Sequence, residues 1–247
     1  MPDRRALPRV LKATLTVLLL GLIVLSGPST RNGQECSSVA FAATCYAASA
    51  PNYHALGYTK PGGTFYGGTA KFPEKTYTAS DWSSGGFVSN VLWNLHPGGY
   101  WSEIGFTKGW QGQNIYAFYV AHNRPTYGYY EWKLSKSPSG SGTQHTYSIS
   151  PSSTSYTVWR LKLDSDETYL VNMLLETSDN LQAGGEETSS QSTMGSTTSS
   201  TLKYYTGRGQ AGATSWPNDQ SKTICYTRSP MKWDWVSYPT SGKAWAP

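Results

Sequence analysis

Glu103 and Glu186 each sit inside a short apolar, glycine-containing run: Trp101-Ser102-Glu103-Ile104-Gly105-Phe106 and Leu181-Gln182-Ala183-Gly184-Gly185-Glu186-Glu187-Thr188. A carboxylate in mid-strand runs against strand propensity, and only 14% of the 247 residues are charged. Two carboxylates in one cleft can split their pKa values, so that one holds a proton while the other accepts one. Such a pair can protonate a leaving amine or a glycosidic oxygen and activate water against the bond. The competing placement leaves both glutamates facing solvent, or paired with Arg160 or Lys108. Glu187 adds a question of register, because a one-residue slip would present it instead of Glu186.

The elements that must carry these residues are strands. After residue 30 no apolar pattern at i, i+3, i+4, i+7 lasts three turns; short β-rich runs recur between Gly, Pro, Asn and Ser clusters. The pattern predicts strands near 65–71, 86–95, 100–107, 114–122, 127–134, 144–150, 156–163, 168–176, 182–188, 200–206, 223–227 and 232–237. Breakers include Pro97-Gly98-Gly99, Gly109 to Gly112, Asn123-Arg124-Pro125, Pro138 to Gly142 and Asp164-Ser165-Asp166. The polar stretch 189–200 reads as a mobile loop within the domain.

Alternation assigns faces. Ser102, Ile104 and Phe106 share one side of their strand, and Trp101, Glu103 and Gly105 the other. Tyr130, Trp132 and Leu134 likewise oppose Tyr127, Tyr129 and Glu131, and Trp159, Leu161 and Leu163 oppose Val158, Arg160 and Lys162. Stacked antiparallel sheets of this kind make an all-β jelly-roll sandwich whose outer face lines an aromatic groove. If the strands of Glu103 and Glu186 are neighbours in that sheet, their carboxylates lie within several ångströms.

Residues 1–27 read as an export signal. Arg4, Arg5, Arg9 and Lys12 precede the apolar run Ala13 to Ser26, which is shorter than the roughly 20 residues of a membrane span. No clean cleavage site follows, so an uncleaved N-terminal anchor is the alternative and the only membrane attachment expected. Without residues 1–27 the formal charge falls from +5 to +2. No basic cluster remains to bind nucleic acid. Residues 28–60 read as a lead-in and 61–247 as a single β-sandwich domain, secreted or extracellular.

Three cysteines leave one odd: Cys36 and Cys45 could close a small loop, or Cys225 could tie back to either. No metal-ligand spacing is present, and neither metal nor cofactor is expected. The four histidines are scattered and no G-x-S-x-G elbow occurs, so nothing supports a serine hydrolase. Trp101, Tyr119, Tyr127 and Tyr129 could form a platform for a sugar or a peptide, or simply pack as strand aromatics.

The two glutamate segments resemble those around the catalytic glutamates of the neprosin family of glutamic peptidases. Ser102-Glu103-Ile104-Gly105-Phe106 is similar to the family's I-E-A-G-W strand, keeping the Glu-x-Gly-aromatic spacing, and Ala183-Gly184-Gly185-Glu186 to its W-G-G-E strand, with alanine replacing tryptophan. The aromatic strand Asn114 to His122 also follows in place. The resemblance covers residues 86–134 and 182–188. It implies a concanavalin-like β-sandwich in which Glu103 and Glu186 are catalytic. The family's activation domain has no counterpart here. The chain also resembles secreted bacterial proteins with a W-x-E-I-G-F strand, which imply no activity. Fungal glutamic peptidases use a Gln–Glu pair, which makes Gln111, Gln113 and Gln182 candidate oxyanion-holding residues.

The expectation is a secreted glutamic endopeptidase acting at acid pH. Glu103 and Glu186 would be catalytic, and Trp101, Tyr119, Tyr127, Tyr129 and Gln182 would bind substrate in an aromatic groove that takes a polypeptide or polysaccharide. The alternative is a non-enzymatic carbohydrate-binding or adhesive sandwich. A glycosidase built on the same two carboxylates is a third reading.

Overall fold

The computed structural model describes residues 45–47, 52–140 and 142–246, all within one unit spanning Ala42–Pro247. The export signal, the Cys36 alternatives and most of the lead-in lie outside the described residues. In chain order the strands begin with β1 (Cys45–Ala47), β2 (Tyr53–Thr59), β3 (Gly68–Pro73), β4 (Tyr77–Thr78), β5 (Val88–His96) and β6 (Tyr100–Trp110). There follow β7 (Gln113–Arg124), β8 (Gly128–Lys133), β9 (Gln144–Pro151), β10 (Val158–Leu163), β11 (Glu167–Asn172) and β12 (Asn180–Glu187). The last are β13 (Thr193–Met194), β14 (Thr197–Tyr204), β15 (Thr214–Ser215), β16 (Thr223–Thr227), β17 (Lys232–Ser237) and β18 (Ser241–Trp245).

One sheet runs β1-β16-β2-β12-β5-β6-β7-β8; the other runs β11-β10-β9-β3-β14-β18-β17, with β15 beside β14. Apart from the parallel β1–β16 pair, the strand pairs are antiparallel. The molecule is a jelly-roll-type β-sandwich, as the alternation requires.

The inward faces make one apolar core. Leu92, Ile104, Phe106, Phe118 and Val120 of the first sheet meet Phe72, Tyr147, Ile149, Trp159 and Leu161 of the second, all fully buried. Phe72 and Tyr147 stack with ring centroids 3.7 Å apart. A second, smaller cluster lies on the outer face of the first sheet: Val91, Trp110, Ala117, Tyr119 and Ala121, flanked by Trp93, Trp101 and Ile115. That face carries the site.

Several expectations change. Residues 53–59, read as lead-in, form β2, an interior strand between β16 and β12. The polar stretch 189–200 is not a free loop: Thr193 and Met194 pair with β4, and β14 starts at Thr197. Within this stretch the start of β14 buries Thr197 and Ser199, small polar residues that leave no apolar pattern to read. The Gly109 to Gly112 breaker shrinks to a two-residue turn. Gln111 and Gly112 both take positive φ, 46° and 78°, as tight hairpins require, and the register shifts between Lys108 and Trp110 around Gly109. Cys45 bonds Cys225, joining β1 to β16.

Candidate active site

Strand pairing places the site residues in three rows across the outer face of the first sheet. Tyr58, Gln182, Trp93, Glu103, Ala121 and Glu131 form one row. Leu56, Gly184, Val91, Gly105, Tyr119 and Lys133 form the next, and His54, Glu186, Ser89, Thr107 and Ala117 the third. Glu103 and Glu186 therefore share a face, but their strands are not neighbours. β5 runs between β6 and β12, and the two residues sit in the outer rows rather than opposite each other. On an untwisted sheet that diagonal is on the order of 16 Å between Cα atoms. Across it Glu103 still feels the charge of Glu186.

The middle row explains the glycines. Gly105 follows Glu103 by two residues and Gly184 precedes Glu186 by two, so both lie in the row between the carboxylates. The Tyr119 ring occupies the space over Gly105: a Cβ there would stand 2.8 Å from Tyr119 Cε1 and 2.7 Å from the Asn90 carbonyl oxygen. Gly184 has φ of 151°, and a Cβ on it would meet the Ala55 carbonyl and come 2.9 Å from Trp233. At Gly185 a Cβ would strike Met194 and Met231 in the core. The Gly-Gly pair thus lets the sandwich close tightly beneath Glu186.

Both glutamates are only 7% exposed. Burial, with the charges of Glu186 and Glu131, pushes Glu103 well above the usual carboxylate range, while hydrogen bonding by the Tyr119 hydroxyl works against the shift. Burial raises Glu186 to about 7, opposed by Asn52, whose Nδ2 donates to Glu186 Oε1 at 2.8 Å. Burial and the charges of Glu103 and Glu186 raise Tyr119 in turn, so its hydroxyl responds to both acids. Both carboxyls are thus raised, and because Glu103 feels the charge of Glu186 they titrate as a pair.

Register settles Glu187. It faces the sandwich interior opposite Val88 and Tyr53, fully buried, and among the described residues neither carboxyl oxygen has a hydrogen-bond partner. Burial and the nearby Asp81 raise its pKa to about 7. Arg160 lies on β10 of the other sheet, and Lys108 Nζ donates to the Asn114 carbonyl, so neither was available to pair the two groove glutamates.

A pocket beside Glu103 is lined by Phe87, Thr107, Gly109, Tyr119, Tyr129 and Glu131. Trp101 packs on Tyr129, with ring centroids 5.7 Å apart, and Gln182 shares the Glu103 row with its Nε2 donating to Asn180 at 3.1 Å. Tyr127 is not brought to this pocket: it sits exposed in the β7–β8 turn, under the Arg124 guanidinium at 4.3 Å. Gln111 and Gln113 are exposed at the β6–β7 hairpin tip. His96 Nε2 lies 3.1 Å from Ser102 Oγ, but both are sealed in the core and His96 Nδ1 meets the Thr177 carbonyl. Among the described residues no group of three metal-ligating side chains occurs.

Sequence reasoning missed Asn52, His54, Ser89, Trp93 and Trp110, which share the groove face. Asn52 and His54 fell in the supposed lead-in, and only the pairing of β2 with β12 reveals them.

No family model matches the chain, and no curated protein matches it. Among solved structures it is similar to scytalido-glutamic peptidase with a peptide-based transition-state analogue, at TM-score 0.51 and 10% identity over 79% of this chain and 98% of that one. A second structure of that peptidase, with a transition-state analogue inhibitor, gives TM-score 0.52 and 9% identity over the same shares. A prokaryotic β-1,3-1,4-glucanase from a mouse hindgut metagenome gives TM-score 0.34 and 12% identity. At these identities the likeness concerns the fold: a β-sandwich shared over most of the chain.

Proposed function

We propose that the protein is a glutamic endopeptidase that hydrolyses peptide bonds by a water activated between Glu103 and Glu186. One observation carries the reading. Two buried carboxyls share one face of the sheet, on either side of the row that holds Gly105 and Gly184, with Tyr119 responding to both. Glu186 takes a proton from water as the water oxygen attacks the peptide carbonyl carbon. Glu103 supplies its proton as the C–N bond breaks and the amine leaves. The Tyr119 hydroxyl and the Gln182 amide are the donors available to the oxyanion. Trp101 and Tyr129 flank the substrate. The Glu186 pKa near 7 moves the working range from the acid pH expected of the sequence toward neutrality. The fold shared with scytalido-glutamic peptidase supports the reading, and the Cys45–Cys225 bond suits an exported protein.

The test is cleavage of a denatured protein by the purified mature chain from acid to neutral pH. Glu103→Gln and Glu186→Gln should each lower kcat about 10²–10⁴-fold. Cleavage that survives both substitutions would end the peptidase reading.

A second reading rests on Tyr130 and Trp132. Their rings are about two-fifths exposed and stack 5.6 Å apart on the edge strand β8, a surface suited to a sugar ring. Retention on a polysaccharide column, lost in Trp132→Ala and accompanied by no proteolysis, would favour carbohydrate binding.

A further inference from the structure

We propose that Asn52 and His54 are positioning residues that hold Oε1 of Glu186 and so leave Oε2 as the oxygen that receives the proton of the attacking water. The inference rests on the peptidase reading for its chemistry and on β2 for its geometry.

His54 lies directly opposite Glu186 in the β2–β12 register. Asn52, two residues earlier, donates to Oε1 at 2.8 Å, and His54 Nδ1 stands 3.9 Å from that same oxygen. Both donors address one oxygen of the two. His54 is itself anomalous: it is 8% exposed, and both ring nitrogens are buried without a hydrogen-bond partner. A buried polar group in that state carries a desolvation cost that needs a compensating role. Burial and the Arg228 charge lower the His54 pKa to about 4, so the ring is neutral and carries one N–H. With that hydrogen on Nδ1, a small approach completes a bond to Oε1 once Glu186 ionises. A bond that forms only to the carboxylate favours the charged form.

The segment is braced from the neighbouring strand end. The Arg228 backbone N–H donates to the His54 carbonyl at 2.8 Å and its Nη1 to the Asn52 carbonyl at 3.4 Å. Its guanidinium lies 4.9 Å from the Tyr53 ring centroid. Arg228 follows β16, which the Cys45–Cys225 bond ties to β1. The other titratable and charged groups on this face are Tyr58 on β2, Tyr226 on β16, Glu103 on β6, Tyr119 on β7 and Tyr129, Glu131 and Lys133 on β8; Arg228 adds a fixed positive charge. Burial opposes ionisation of Glu186, and the Asn52 amide favours it. The Trp93 ring, 5.9 Å from that of His54, covers the imidazole.

The test follows the carbon-13 NMR signal of the Glu186 carboxyl through a pH titration, alongside the rate profile, in wild type, Asn52→Ala, His54→Phe and His54→Asn. Asn52→Ala and His54→Phe should each raise the Glu186 midpoint by about one pH unit, the scale of a hydrogen bond to a charged group. The rising limb of kcat should move with it while KM stays put, and His54→Asn, which keeps an N–H, should recover part of the shift. Unmoved midpoints in folded variants would overturn the proposal. Asn52 sits half-buried before β2, so Asn52→Ala tests the idea even where the His54 variants fail to fold. Shifted midpoints in a protein that cleaves nothing would keep the positioning role and remove the peptidase.

Discussion

The ring of Tyr119 lies across Gly105, on the strand next to its own, closely enough that a Cβ on that glycine would be 2.8 Å from Cε1. The missing side chain lets the phenol reach over β6 toward the diagonal between Glu103 and Glu186. Gly105→Ala should therefore act on catalysis as well as stability. The Asn90 carbonyl oxygen, 2.7 Å from the same Cβ, belongs to the backbone and cannot yield, so the tyrosine must. We expect a stability loss of about 1–3 kcal/mol, typical of overpacking, measured by urea unfolding. Peptide hydrolysis should fall further than the fraction folded explains.

Tyr119→Phe removes the hydroxyl and leaves the ring. Hydrogen bonding by that hydroxyl holds the Glu103 pKa down against burial and the charges of Glu186 and Glu131. Its loss should raise Glu103 further, by about one pH unit. In the rate profile the limb set by Glu103 is the falling one, so it should move to higher pH while the rising limb of Glu186 stays near 7. A profile shifted as a whole, or not at all, would separate Tyr119 from Glu103.

Much of this arrangement was legible in the chain because period-two patterns survive wherever one face is apolar. In β6 the buried Ile104 and Phe106 alternate with Glu103 and Gly105, and in β10 Trp159, Leu161 and Leu163 alternate with half-buried partners. The pattern fails where small or polar residues are buried. β2 buries His54, Ala55, Leu56 and Gly57 in succession, because it is covered on both faces, and a continuous run has no period to read. The pairing order was equally hidden. Nothing in the spacing of Glu103 and Glu186 places β5 between them, since strand order follows from long-range contacts rather than local sequence. Gly105 and Gly184 did mark the row that separates the acids, but only the register gives them that meaning.

The buried ionisable groups set the acid–base limits of the fold. Glu186 and Glu187 have folded pKa values near 7, above the ordinary 4.5, and Glu103 is also raised. A raised value gives stability that is complete below about 4.5 and lost as pH climbs through 7. His54, His96 and His122 are lowered by burial from 6.5 to about 4. They give the opposite: stability complete above 6.5 and lost as pH falls through 4. Between 4.5 and 6.5 three carboxyls and three imidazoles pull in opposite directions and nearly cancel. The melting temperature should be flat across that window and drop on both sides. Glu187→Gln removes one of the falling contributions, so the melting temperature should rise with pH between 4.5 and 6.5 and drop less steeply above, while the slope below 4.5 stays as it was.

His145 ties the second sheet to its loops through charge. Its Nδ1 is 2.7 Å from Asp164 Oδ2 and its Nε2 is 2.9 Å from Glu74 Oε1. Each ring nitrogen thus has a carboxyl oxygen within hydrogen-bond reach. Lys136 adds a contact of 2.7 Å to the same Asp164 oxygen, and Ser139 and Gly140 donate to Glu74. β3, the β8–β9 connection and the β10–β11 turn therefore meet at one side chain. His145→Phe keeps the ring that packs on Phe118, now 4.9 Å from the imidazole, but leaves the 1%-exposed Glu74 without its imidazole partner. Breaking a buried pair by removing one member costs about 3–5 kcal/mol, and urea unfolding should show a loss of that size. Adding Glu74→Gln should recover part of it, because the stranded charge is then gone; a double variant no more stable than His145→Phe would mean that shape, not charge, holds this corner together.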